Sequence, residues 1–117
     1  MTHNHINTIH LLGEVADQPG WRTTQKNQRL YFFRITTRRG TFSQSHQIMV
    51  VDENVAQDLD AARLAVGAVV ELTGELQYRR KEMNGRTSVF ATVVVARPEG
   101  AVSILAAAPS QSQGAAA

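Results

Sequence analysis

The stretch GAVVELTGELQYRRKEMNGRTSVFATVVVA, residues 67–96, decides the fold. Val69, Val70, Leu72, Thr73 and Leu76 make one β-branched and apolar run, and Thr87, Val89, Phe90, Thr92, Val93, Val94 and Val95 make a second. Between them lies Asn84-Gly85, which accepts the positive φ angles of a tight turn and is the strongest short-range hairpin cue in the chain. Arg79, Arg80, Lys81 and Arg86 crowd the turn end. Together these residues read as a long basic hairpin, an arm suited to reach across something anionic.

Working outward, residues 7–15, NTIHLLGEV, read as a first strand that Gly13 interrupts where a strand bulges or curls. Asp17, Pro19 and Gly20 make a turn, and residues 21–28 form a polar, cationic connection with room for a hairpin of its own. Residues 30–37, LYFFRITT, carry the densest β signal. With Tyr31, Phe33 and Ile35 pointing inward, the two-residue period places Phe32, Arg34 and Thr36 on the opposite face, an aromatic ring beside a guanidinium. Alternation assigns Phe33 and Phe90 to the core. Residues 38–45, RRGTFSQS, read as a loop holding Phe42, and residues 47–51 as a third strand.

Asp52 then reads as an N-cap, because its carboxylate accepts bonds from free amides of a first helical turn and favours the helix dipole. Val55, Leu59, Ala62 and Leu64 recur at helical spacing, with Gly67 as the stop, giving one amphipathic helix of about three turns. From Pro98 the composition turns small and, after Glu99, uncharged. Residues 1–98 are therefore expected to form the domain and residues 99–117 a flexible tail. Strand, strand, strand, helix, strand, strand is the order of the OB-fold. That all-β fold is a five-stranded Greek-key barrel whose helix joins the third and fourth strands and whose second and third strands offer a ligand face. Residues 67–96 then supply its long closing hairpin.

Composition narrows the function. The 117 residues suffice for one core but not two. The absence of cysteine excludes disulfides, thiolate–zinc sites and cysteine nucleophiles. The N-terminus does not read as a signal peptide and no apolar run approaches the roughly 20 residues of a membrane span, so no membrane partner and a cytoplasmic location are expected. His3, His5, His10 and His46 lack carboxylate partners at ligand spacing, so no metal is expected. There is no nucleophile elbow, no phosphate-cradling glycine loop and no H-E-x-x-H, so neither an enzyme nor a cofactor is expected. The net charge of +2 is small, but its distribution is not even: from Gln18 to Val51 the chain carries Arg22, Lys26, Arg29, Arg34, Arg38 and Arg39 and no carboxylate. Asp52, Glu53, Asp58 and Asp60 crowd the helix instead, which reads as a solvated surface.

The run from Asn7 to Val15 followed by Asp17-Gln18-Pro19, then Phe33-Arg34-Ile35-Thr36-Thr37, then the G-x-V-V-x-L-x-G-x-L of residues 67–76, then Asn84-Gly85-Arg86-Thr87, resembles the bacterial single-stranded DNA-binding proteins over residues 7–96. Primosomal replication protein N, a relative with the same barrel, is the competing identity. The resemblance implies an OB-fold that assembles as a homotetramer, or as a dimer for the primosomal relative, and binds along the barrel face and hairpin arms. Two departures stand out. Where the family usually places tryptophans, this chain has Arg39, Gly40, Thr41, Ser45 and Lys81, and its only tryptophan is Trp21. The family's acidic C-terminal tip has no counterpart in residues 113–117, QGAAA. The first departure moves the expected binding mode from stacking toward phosphate contacts.

The expectation is thus a non-catalytic binder of single-stranded DNA in replication, recombination or repair, with replication or recombination proteins as further partners. Phosphates are expected on Arg34, Arg38, Arg39, Arg79, Arg80, Lys81 and Arg86, and bases on Phe32, Phe42, Tyr78 and Trp21. Phe32 serves equally to seal a subunit interface, Tyr78 to pack, and Trp21 to lid the core. Specificity is expected to be low, since neither contact type reads base edges. The alternative is a primosomal-type interaction module whose hairpin and Phe32 face hold a protein.

Overall fold

The computed structural model describes residues 5–109; His3 and the last eight residues of the expected tail lie outside them. The elements run β1 (Ile9–Val15), β2 (Gly20–Thr23), β3 (Arg29–Arg39), β4 (Phe42–Val50), α1 (Glu53–Ala61), β5 (Val69–Met83), β6 (Arg86–Val95) and β7 (Ala101–Ala106). Pairing in the order β1-β3-β4-β6-β5 is closed by β1 on β5, so five strands make a ring, with β4 and β6 parallel and the other neighbours antiparallel. This is the OB barrel, with α1 between the third and fourth ring strands. Closure gives every ring strand a partner on each side, and β2 and β7 cover the lengths of β3 and β5 that the ring itself leaves as open edge.

Period-two alternation fills the barrel. Tyr31, Phe33 and Ile35 of β3, Ile48 and Val50 of β4, Val70 and Leu72 of β5, and Val93 and Val95 of β6 form one buried cluster with Ala56, Leu59 and Leu64 from α1 and the turn after it. Burial and the nearby Asp60 carboxylate push the Tyr31 hydroxyl up to about 12, so it stays neutral in the folded chain. Two glycines are required by close approach. A Cβ at Gly13 would lie 2.6 Å from the Thr36 carbonyl oxygen, where β1 passes from β5 to β3, and one at Gly74 would lie 2.6 Å from that of Val94.

Asp52 caps α1 as expected, accepting from the Asn54 and Val55 amides at 2.9 and 3.4 Å while Arg97 Nε donates to it at 3.0 Å. Burial alone would raise the carboxyl's pKa, but Arg97 and the two amides outweigh it and hold the group below its ordinary value. The helix stop differs from expectation. Arg63 takes the left-handed conformation at φ 57°, its amide donating to the Asp60 carbonyl and that of Leu64 to the Leu59 carbonyl, so the helix closes in a Schellman turn four residues before Gly67. The local bonds of Arg63 and the burial of Leu64 replace the expected glycine.

Two further expectations are corrected. Residues 38–45 are not a loop: β3 and β4 continue through them as a ladder to Arg39↔Phe42, turning on Gly40 and Thr41. Their polar composition reflects a hairpin that extends past the barrel with water on both faces. The domain also does not end at 98. β7 pairs with β5 from Val69 to Thr73, on the edge opposite β1, where β6 has already left β5 at Glu75. Val102 and Ile104 pack against the core cluster, and Ala108 follows them.

Candidate nucleic-acid interface

The outer face of β3, β4, β6 and β5 is built by the same alternation that fills the barrel. Ladder partners share a face, so Phe32, Met49, Val94 and Glu75 form one row across the sheet, and the pairs Arg34↔Gln47 and Gln77↔Thr92 continue the same face where β4 and β6 part. Leu30, Met49 and Val94 are buried here in a second cluster, outside the barrel, with Phe32, Val51 and Ala96 against them. The result is an apolar floor on a sheet face where water would be the default neighbour. Above it runs a groove of about 570 Å³ between the β2–β3 turn, with Lys26 and Gln28, and the β5 wall of Glu75, Gln77 and Arg79.

β5 and β6 continue beyond the last β4 pairing, Ile48↔Val93, as a free two-stranded arm that turns on Asn84 and Gly85 at φ 53° and 75°. The β3–β4 hairpin projects from the same end of the barrel, because β4 runs parallel to β6. The arm's ladder divides the predicted cations. Arg79↔Phe90, Lys81↔Ser88 and Met83↔Arg86 continue the outer face, whereas Tyr78↔Ala91, Arg80↔Val89 and Glu82↔Thr87 continue the barrel-side face. Arg79 lies back across the sheet, its Nη2 3.4 Å from Met49 Sδ.

The predicted residues therefore fall in two groups. Phe32, Arg34, Arg38, Arg79, Lys81 and Arg86 share the outer face. Arg34 is engaged there by Asp17, its Nε donating at 3.2 Å, and Arg38 by Glu14 at 3.7 Å. Both are exposed pairs worth at most about 1 kcal/mol, which a phosphate can displace. Phe32 is half-buried on the floor, with the Arg22 guanidinium 5.0 Å above its ring. Trp21, Arg39, Phe42, Tyr78 and Arg80 have the opposite parity. Trp21 meets Tyr31 edge-on at 5.3 Å and is covered by Arg29 at 4.2 Å, the lid arrangement. Phe42 and Tyr78 are 77% and 70% exposed on the two hairpins.

Sequence reasoning missed Phe90, which it assigned to the core. The structure leaves it 38% exposed on the outer face opposite Arg79, in step with Thr92 and Val94. It also missed Lys26 and the apolar floor. Among the described residues, no group of three or more histidines or carboxylates could hold a metal ion, and no helix is long and apolar enough to cross a membrane.

No family model matches the chain, and no curated protein matches it by sequence. Solved structures do. The chain is similar to a Plasmodium falciparum SSB in complex with single-stranded DNA, with a TM-score of 0.74 and 24% identity over 90% of this chain and 99% of that one. It is also similar to the mitochondrial single-stranded DNA-binding protein of S. cerevisiae, with a TM-score of 0.73 and 14% identity over 89% of this chain and 99% of that one. The likeness spans essentially the whole of both neighbours and establishes the shared OB architecture.

Proposed function

We propose that this protein binds single-stranded DNA, without catalysis, along the outer face of β3, β4, β6 and β5. The observation that carries the proposal is the concentration on that one face of Arg34, Arg38, Arg79, Lys81 and Arg86 with Phe32 of the apolar floor and Phe90 of the arm. Cations at the edges suit a phosphate backbone, and apolar and aromatic groups between them suit unpaired bases, which a duplex does not expose. The two structural neighbours named as single-stranded DNA-binding proteins support the same function. A role in replication, recombination or repair in the cytoplasm, with replication or recombination proteins as partners, belongs to this proposal. So does assembly as a homotetramer rather than a dimer, for which the exposed Tyr78 and Val89 on the barrel-side face of the arm offer apolar contact area.

Titration of a labelled single-stranded oligonucleotide tests it. Five phosphate contacts at about −0.7 each give a salt slope of about −3.5, a loss of roughly a hundredfold in affinity between about 50 and 200 mM salt. A duplex of the same sequence is expected to compete poorly. No binding at the lower salt concentration would remove the proposal in favour of a protein-interaction module.

A further inference from the structure

Glu75 is a carboxylate on the outer face for which phosphate binding has no use. Glu75 stands on the groove wall, exposed, opposite Val94 in the ladder, with Gln77 next on the same face. Among the described residues no cation pairs with it. Its hydrogen-bond partner is Gln77, whose Nε2 donates to Glu75 Oε1 at 2.8 Å. That bond orients the pair and leaves the second carboxylate oxygen and the Gln77 carbonyl as two acceptors on the wall. Beside them, opposite Gln77, the Thr92 hydroxyl is buried without a partner. The floor of Leu30, Met49 and Val94 is apolar, and Lys26 and Arg79 line the same groove.

This arrangement suits a base better than a phosphate. A carboxylate repels a phosphate and accepts from a neutral donor. A base whose phosphates lie on Lys26 and Arg79 would set its plane on the floor and its edge against Glu75. Cytosine brings an exocyclic N4 amine, a donor that carboxylates accept from. Thymine brings carbonyl oxygens on either side of its single N3–H, and a carboxylate repels both. We infer that the groove receives one base of the bound strand and selects amine-bearing bases over thymine, with Glu75 as the reading group and Gln77 holding it in place. The inference rests on the proposed function and adds a base preference at one position to an otherwise sequence-tolerant site.

Fluorescence-anisotropy titration with oligo-dC and oligo-dT of equal length is the test, since both are weakly stacking pyrimidines. A single good edge contact lies at the low end of base discrimination, so wild type is expected to bind oligo-dC about fivefold more tightly. Glu75→Gln supplies an N–H₂ that can donate to thymine O4, and it is expected to bring the two oligomers within about twofold while leaving both salt slopes unchanged. Equal binding of both by wild type, tight and salt-dependent, overturns the base-reading groove and leaves the proposed function standing. A preference for oligo-dC that survives in Glu75→Gln also overturns it. Binding of neither oligomer removes the proposed function and this inference with it.

Discussion

Replacing Arg79, Lys81 and Arg86 together by alanine is expected to reduce the salt slope of oligonucleotide binding by about 2, because three phosphate contacts are lost at about 0.7 each. All three sit on the outer face of the β5–β6 arm. The double variant Arg39→Ala/Arg80→Ala removes cations of the opposite parity from the same two hairpins, and its slope is expected to stay at the wild-type value. The comparison separates placement from total charge, since a generic electrostatic effect would scale with the number of cations removed. Folding is not at stake, because the described burial makes every one of these side chains exposed, and such substitutions usually change stability by less than about 0.5 kcal/mol. Equal flattening by both variants would place the strand elsewhere than on the outer face.

A chain ending at residue 98 is expected to be about 3 kcal/mol less stable than one ending at 109. The longer chain keeps β7, and with it the half-buried Val102 and Ile104 that pack against the barrel core. At the low end of aliphatic burial these two contribute about 1.5 kcal/mol each. Against a domain stability of about 5–15 kcal/mol, that is a large share. The shorter chain also bares the β5 edge from Val69 to Thr73, an open template for pairing with another chain. Urea unfolding should show a lower midpoint for the 98-residue chain and concentration-dependent association. The same midpoint for both truncations would mean that β7 contributes nothing to the fold.

Local chemistry was legible where few residues settle the outcome. Asp52 caps α1 because its own side chain meets the next amides, and Asn84-Gly85 turns the arm because the two φ angles demand it. Tyr31, Phe33 and Ile35 alternate cleanly because one face of β3 is packed and much of the other is not. Phe90 was misplaced because it leads into Thr92, Val93, Val94 and Val95, all buried, where the second cluster hides the two-residue period. Arg79, Arg80 and Lys81 read as one basic run, yet a strand sends consecutive side chains to opposite faces, so only the ladder shows which of them act together. β7 was missed because AVSILA is short and opens an alanine-rich run, so Pro98 and Gly100 read as the end of the domain, and its partner β5 lies far back in the chain. The groove with Lys26, Met49 and Glu75 joins the β2–β3 turn, β4 and β5, and no local pattern announces it.

The chain's methionines allow the central claim, a strand lying on the outer face, to be read directly. Met49 is buried in the floor of that face, and Met83 stands on the outer side of the arm near its tip. With methyl-labelled methionine, saturation by a single-stranded oligomer is expected to shift the Met49 methyl resonance, as Arg79 leaves its sulfur for phosphate, and the Met83 resonance with it. A Met49 resonance that does not move while the oligomer is fully bound would contradict the account.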